Sequence, residues 1–67
     1  MKFVEAILEA QEHAKKNKEE NSTPYGFCTI TRKGNNHSLR VSNDGAILST
    51  VYISDIICID WEIMLDS

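Results

Sequence analysis

The sequence predicts an α+β domain in which an N-terminal amphipathic helix packs on an antiparallel sheet of about four short strands. Three observations lead there. Apolar residues recur at helical spacing up to Ala14 and at alternate positions after Pro24. Asn43-Asp44-Gly45 is a tight-turn signal of the kind that joins antiparallel strands. The length, 67 residues, sets the expectation of one small domain over 1–67.

Each element follows in order. Phe3, Ile7, Ala10 and Ala14 form the apolar stripe of the helix, with Val4 and Leu8 widening it, while Glu5, Glu9 and Glu12 face away. Lys15, Lys16 and Lys18 load the C-terminal end, where cations complement the helix dipole. The helix is expected to fray from Asn17 to Glu20 and to stop at Asn21-Ser22-Thr23-Pro24. Tyr25 to Arg32 is rich in aromatic and β-branched residues and predicts a strand, with Cys28 and Ile30 on one face and Phe27, Thr29 and Thr31 on the other. Lys33 to His37 is a turn, and Ser38 to Ser42 a short strand with Leu39 and Val41 inward and Arg40 outward. Ala46 to Ser49 opens the next strand. Thr50 to Cys58 has strand propensity at Thr50–Ile53, then a helical turn opened by Ser54 as N-cap with Asp55 near its positive end. Ile59 to Leu65 alternates and predicts a final strand, with Ile59, Trp61, Ile63 and Leu65 on one face.

Composition excludes several classes. At 42% hydrophobic and 25% charged, the chain is neither disordered nor collagen-like. Two cysteines cannot build a disulfide framework, and Cys28 and Cys58 sit in apolar segments as buried thiols would. Asp55 and Asp60 interrupt the longest apolar run, so no transmembrane span is expected. Acids within the N-terminal apolar stretch argue against a signal peptide, which leaves a cytoplasmic protein as the expectation. A domain of this size buries only about 60% of its unfolded surface and gains from association with a copy of itself.

The net charge of −3 is uneven. Residues 21–50 carry +2, from Arg32, Lys33 and Arg40 against Asp44, and residues 51–67 carry −4, from Asp55, Asp60, Glu62 and Asp66. An acidic chain is not expected to bind nucleic acid polymers. Arg32, Lys33 and Arg40 either belong to a solvated, mixed-sign surface or form a small anion site suited to a phosphorylated small molecule. Tyr25 and Phe27 either cover the hydrophobic face or stack a base next to Arg32. His13 and His37 are expected on the surface. No catalytic constellation, metal-ligand spacing or glycine-rich phosphate loop is visible, so neither an enzyme nor a cofactor is expected.

The stretch Ile53-Ser54-Asp55-Ile56-Ile57-Cys58-Ile59-Asp60-Trp61-Glu62-Ile63 resembles the C-terminal signature of the Thoeris anti-defence 2 proteins of phages and prophages and their short relatives. The pattern there is Asp, two aliphatics, a small residue, any residue, then Asp-Trp-Glu. Met1-Lys2-Phe3 through Ala10 is similar to the family's opening helix, Ile30 to Lys33 to its basic strand, and Asp44 to Ile47 to its later hairpin. Together these touch about half the chain. The sequence departs from the family in its longer helix-to-strand connection with Pro24, and in Asn35 where a Trp is usual. The resemblance implies a homo-oligomeric sponge in the host cytoplasm that sequesters a cyclic nucleotide immune signal without cleaving it. By position it implies that Phe3 stacks a base, that Arg32 and Lys33 neutralise phosphates and that Asp60 accepts from a base or ribose, with Trp61 in the core. The acidic residues 51–67 motivate a reading of a different class, an anti-CRISPR-like inhibitor that mimics nucleic acid on a defence nuclease.

Overall fold

A computed structural model describes residues 1–34 and 37–64. Asn35 and Asn36 of the predicted turn, Leu65 of the predicted last strand and Asp66 of the acidic C-terminal stretch lie outside the described residues. The observed architecture is α+β: helix α1 (Phe3–Asn21), strands β1 (Phe27–Arg32) and β2 (Ser38–Ser42), a short helix α2 (Ile53–Ile57) and strand β3 (Trp61–Met64). The sheet is antiparallel with order β2-β1-β3. Among the described residues no helix is long and apolar enough to cross a membrane.

Helix α1 meets the sheet through small residues. Ala6, Ala10 and Ala14 are fully buried, four residues apart on one side, and Phe3 and Ile7 pack beside them. Val4 and Leu8, expected to widen this stripe, are instead exposed. At 100° per residue both lie roughly opposite Ala6 and turn to solvent. The alanine ridge lets the helix sit close to β1. At Gly26, just before that strand, a Cβ would fall 1.9 Å from the Ala14 carbonyl oxygen, so glycine is the residue that fits.

The helix does not fray at Asn17; it continues to Asn21. Two contacts hold the extra turn. The Asn17 side-chain amide donates to the Phe27 carbonyl at 2.9 Å. Ser22 adopts the left-handed conformation (φ 50°), and the Ser22 and Thr23 N–H groups donate to the Glu19 and Lys18 carbonyls, a closing pattern of the Schellman kind. The Thr23 hydroxyl then binds the Tyr25 carbonyl at 2.7 Å, which keeps Tyr25 in the loop, and the strand predicted from Tyr25 begins at Phe27.

The register pairs Ile30 with both Leu39 and Ile63, Cys28 with Val41 and Arg32 with Trp61. Cys28, Ile30, Leu39, Val41 and Trp61 therefore share the face under α1 and form the core with the three alanines. The predicted fourth strand at Ala46–Ser49 does not form. After the Asp44-Gly45 turn only Val41 and Ile47 make a bridge, and the Arg40 N–H turns to the Ser49 hydroxyl rather than to another backbone carbonyl. Among the described residues the sheet has three strands.

The C-terminal third departs further from the alternating pattern. Tyr52, not Ser54, caps α2, and its N–H donates to the Asp55 carboxylate at 2.9 Å. β3 begins at Trp61; Ile59, expected on the Trp61 face, is exposed. The chain before β3 is fixed by Met1, whose amino group donates to the Ile59 and Trp61 carbonyls while its own carbonyl accepts the Trp61 N–H. Trp61 is fully buried, packs edge-on against Phe3 and donates its indole N–H to the Asp55 carbonyl at 2.8 Å.

Candidate functional site

The sheet face away from α1 carries Phe27, Thr29 and Thr31 of β1, flanked by Arg40 of β2 and Glu62 and Met64 of β3. Thr29 stands directly across from Arg40, so Phe27 is its diagonal neighbour, within reach of a long side chain. The Arg40 guanidinium lies over the Phe27 ring, 4.2 Å from its centroid. The bond from Asn17 to the Phe27 carbonyl brings the end of α1 to the same spot. Two open hollows flank this group and share Asn17, Phe27 and Arg40 as walls. One, of about 400 Å³, extends to His13, Thr29 and Met64. The other, of about 470 Å³, extends to Tyr25 and Glu20. Tyr25 is two-thirds exposed, so its ring is open to a ligand.

The other end of β1 is built differently. Arg32 lies on the face of β1 that carries Ile30, away from Phe27 and Arg40, and donates from Nη1 to Asp55 Oδ1 at 3.1 Å. His37 Nε2 stands 3.1 Å from Asp55 Oδ2. Asp55 is only 1% exposed, yet it sits on the short helix among isoleucines. Burial pushes its pKa up, but the Tyr52 N–H, Arg32 and His37 outweigh that and hold the carboxyl below its ordinary value. Arg32 in turn is held above its ordinary value, first by the Cys58 side chain and then by Asp55. This cluster joins β1, the start of β2 and α2. It is a structural tie whose charges already compensate one another.

The seven predicted ligand residues thus fall in three places. Tyr25, Phe27 and Arg40 come together on the open face. Arg32, Lys33 and Asp60 are at the far end of β1, where the Lys33 N–H donates to the Asp60 carbonyl at 3.0 Å and both side chains are exposed. Phe3 packs on Trp61. A joint anion site of Arg32, Lys33 and Arg40 does not form, because strand alternation sends Arg32 and Arg40 to opposite faces. The ring that meets a cation is Phe27, and the cation is Arg40 rather than Arg32. His37, expected to be a surface residue without a useful neighbour, belongs to the Asp55 cluster. Sequence reasoning missed Asn17 because it was assigned to a frayed end. It missed the burial of Asp55 as well, although an acid between isoleucines was the available signal.

Comparison with known proteins adds no relative: no family model matches the chain, and no curated protein or solved structure matches it.

Proposed function

We propose that this chain is a phage or prophage counter-defence protein that binds a cyclic nucleotide or cyclic ADP-ribose-type immune signal and sequesters it without cleaving it. The observation that carries this reading is the Arg40–Phe27 stack beside Asn17 and Tyr25, with a hollow on either side. A base stacks on an aromatic ring, a guanidinium meets phosphate oxygens, and hollows of a few hundred Å³ suit a ligand of nucleotide size. The resemblance of Asp55 to Glu62 to the Thoeris anti-defence 2 signature supports the same class of ligand. Holding a signal needs a ring, a cation and an amide; it needs no nucleophile.

The test is a thermal-shift panel of cyclic di- and trinucleotides and cyclic ADP-ribose isomers. Ligand at about 100 times its dissociation constant adds about 2.7 kcal/mol to the folded state, a rise of roughly 10–20 °C for a domain of this size. Arg40→Ala is expected to abolish the shift while leaving the ligand-free melting temperature nearly unchanged. Arg32→Ala is expected to lower the ligand-free melting temperature instead, because Arg32 pairs with Asp55. Ligand recovered intact after heating fits sequestration; a cleaved ligand or a flat panel overturns the reading.

The inhibitor reading keeps one favourable observation, the exposure of Asp60 and Glu62, but Asp55 is removed from any acidic surface by its burial. It predicts that neutralising Asp60 and Glu62 together abolishes inhibition of a defence nuclease and that Arg40→Ala leaves it intact.

A further inference from the structure

The two hollows beside the Arg40–Phe27 stack differ in charge. The one toward Tyr25 is lined by Arg40 and by the carboxylate-bearing Glu20. The other is lined by Arg40 and His13, and among the described residues no carboxylate joins them. Among the described residues the ion pairs join Lys15 to Glu12 and both Arg32 and His37 to Asp55; Arg40 enters none of these. Helical spacing brings His13 to this hollow. At 100° per residue His13 and Asn17 lie roughly 100° and 60° to the same side of the buried Ala14. They are one turn apart and so neighbours on the helix surface. The bond from Asn17 to the Phe27 carbonyl fixes this flank of α1 against the start of β1. Thr29, directly across from Arg40 in the register, adds a hydroxyl to the same hollow.

We infer that the hollow between His13 and Arg40 is an oxyanion subsite that takes a phosphate group, with Arg40 as its permanent cation and His13 as a cation formed on protonation. The inference deepens the ligand reading above, which supplies the source of the phosphate, a nucleotide phosphodiester. A guanidinium and an imidazolium both give charge-assisted hydrogen bonds to phosphate oxygens, and the Thr29 hydroxyl offers a neutral one. An oxyanion in the other hollow would face Glu20, so like-charge repulsion steers the phosphate to the His13 side and leaves Tyr25 for the base. Histidine is the side chain whose charge ordinarily changes between about pH 5 and 8, so affinity for a phosphate rises as pH falls through this range. Around His13, α1 itself carries the exposed Glu9 and Lys16 one turn to either side, while Glu12 is paired with Lys15. Strand β1 presents the buried Cys28 thiol, β2 presents Arg40 and β3 the uncharged Met64. Of these groups Arg40 alone brings a full charge into the hollow.

The probe is sulfate, a phosphate mimic whose own charge is constant over this range. It is titrated into isotope-labelled protein and followed by nuclear magnetic resonance at about pH 6 and about pH 8, with ionic strength held constant by sodium chloride. The amide signals of His13, Asn17, Thr29 and Arg40 are expected to move together, with affinity about three- to tenfold higher at the lower pH. By reciprocal linkage the His13 ring signals should titrate at higher pH in sulfate than in chloride. Those of His37, beside Asp55 at the other end of β1, should stay in place. Arg40→Ala should abolish binding, and His13→Gln should leave weak binding without pH dependence. Sulfate that moves none of these signals at the lower pH overturns the inference, as does a pH dependence that survives His13→Gln or an equal displacement of both histidines. If His13→Gln loses its fold, read by far-ultraviolet circular dichroism, the wild-type comparison of the two histidines decides alone. The nucleotide panel separates the two readings. A flat panel beside a sulfate site overturns signal binding and assigns the subsite to free phosphate, whereas a nucleotide that binds while sulfate stays silent overturns the subsite alone.

Discussion

The two ends of this small molecule bury opposite kinds of residue. Where α1 crosses β1, the contact is made of Ala10, Ala14 and Gly26, residues with almost no side chain. At the α2 corner, a carboxylate goes inside and isoleucines go outside. The difference teaches that position in the topology, not hydrophobicity, decides what is buried here. Near Gly26 the backbones approach too closely for anything larger. At α2 three chain segments converge without enough apolar side chains between them, and a charged group that bonds all three closes the corner.

The sharpest way to break the close-packed end is Gly26→Ala. Its added methyl would meet backbone atoms of α1 that a flexible side chain's end could not vacate. The expected loss exceeds about 3 kcal/mol, enough to unfold a domain whose total stability is a few kcal/mol; circular dichroism of the purified variant checks it. Trp61→Ala is next, at about 3–5 kcal/mol from the lost ring and the cavity it leaves. It removes the side chain that joins the start of α1 to the α2 corner, through Phe3 and through the Asp55 carbonyl. Urea melts should show a lower midpoint for this variant.

The α2 corner should respond to acid instead. The folded pKa of Asp55 lies below its unfolded value of about 3.9. Its contribution to stability is therefore complete above about pH 4 and is lost as pH falls through the folded value. Asp55→Asn is expected to destabilise the protein at pH 7 and to flatten the loss of stability below about pH 4, read from urea midpoints at each pH. Some slope should remain, because Asp44 is also held below its ordinary value, chiefly by the Ser42 hydroxyl. The smallest effect is expected at Ser22→Gly, which relieves a left-handed residue at the end of α1 and should raise stability by about 1 kcal/mol.

Much of the fold was legible in the residues. The change of period at Pro24 located the helix and β1, and the alternation of Ser38–Ser42 placed Leu39 and Val41 inward as found. Val4 and Leu8 misled because helical spacing gives a wide stripe, while the sheet accepts only the narrow alanine ridge within it. Ala46–Ser49 misled because strand propensity does not count ladder partners, and the Ser49 hydroxyl took one of them. At the candidate site, Tyr25, Phe27 and Arg40 were legible as residue types. Which cation meets which ring depends on cross-strand register, which no local pattern encodes. The Asp55 cluster depends on contacts across more than twenty residues of chain and was hidden for the same reason.

The placement of Trp61 has a practical consequence. It is the sole tryptophan of the chain, sealed beneath α1 and bonded through its indole nitrogen, while Phe27 and Arg40 lie on the other side of the sheet. Its native emission should be blue-shifted and should resist quenching by iodide or acrylamide. Unfolding should move the spectrum to the red. A molecule stacked on Phe27 has no path to the indole ring, so emission at a fixed temperature should stay constant as the open face fills. Tyrosine emission from Tyr25 should change instead, giving the molecule separate optical signals for folding and for occupancy.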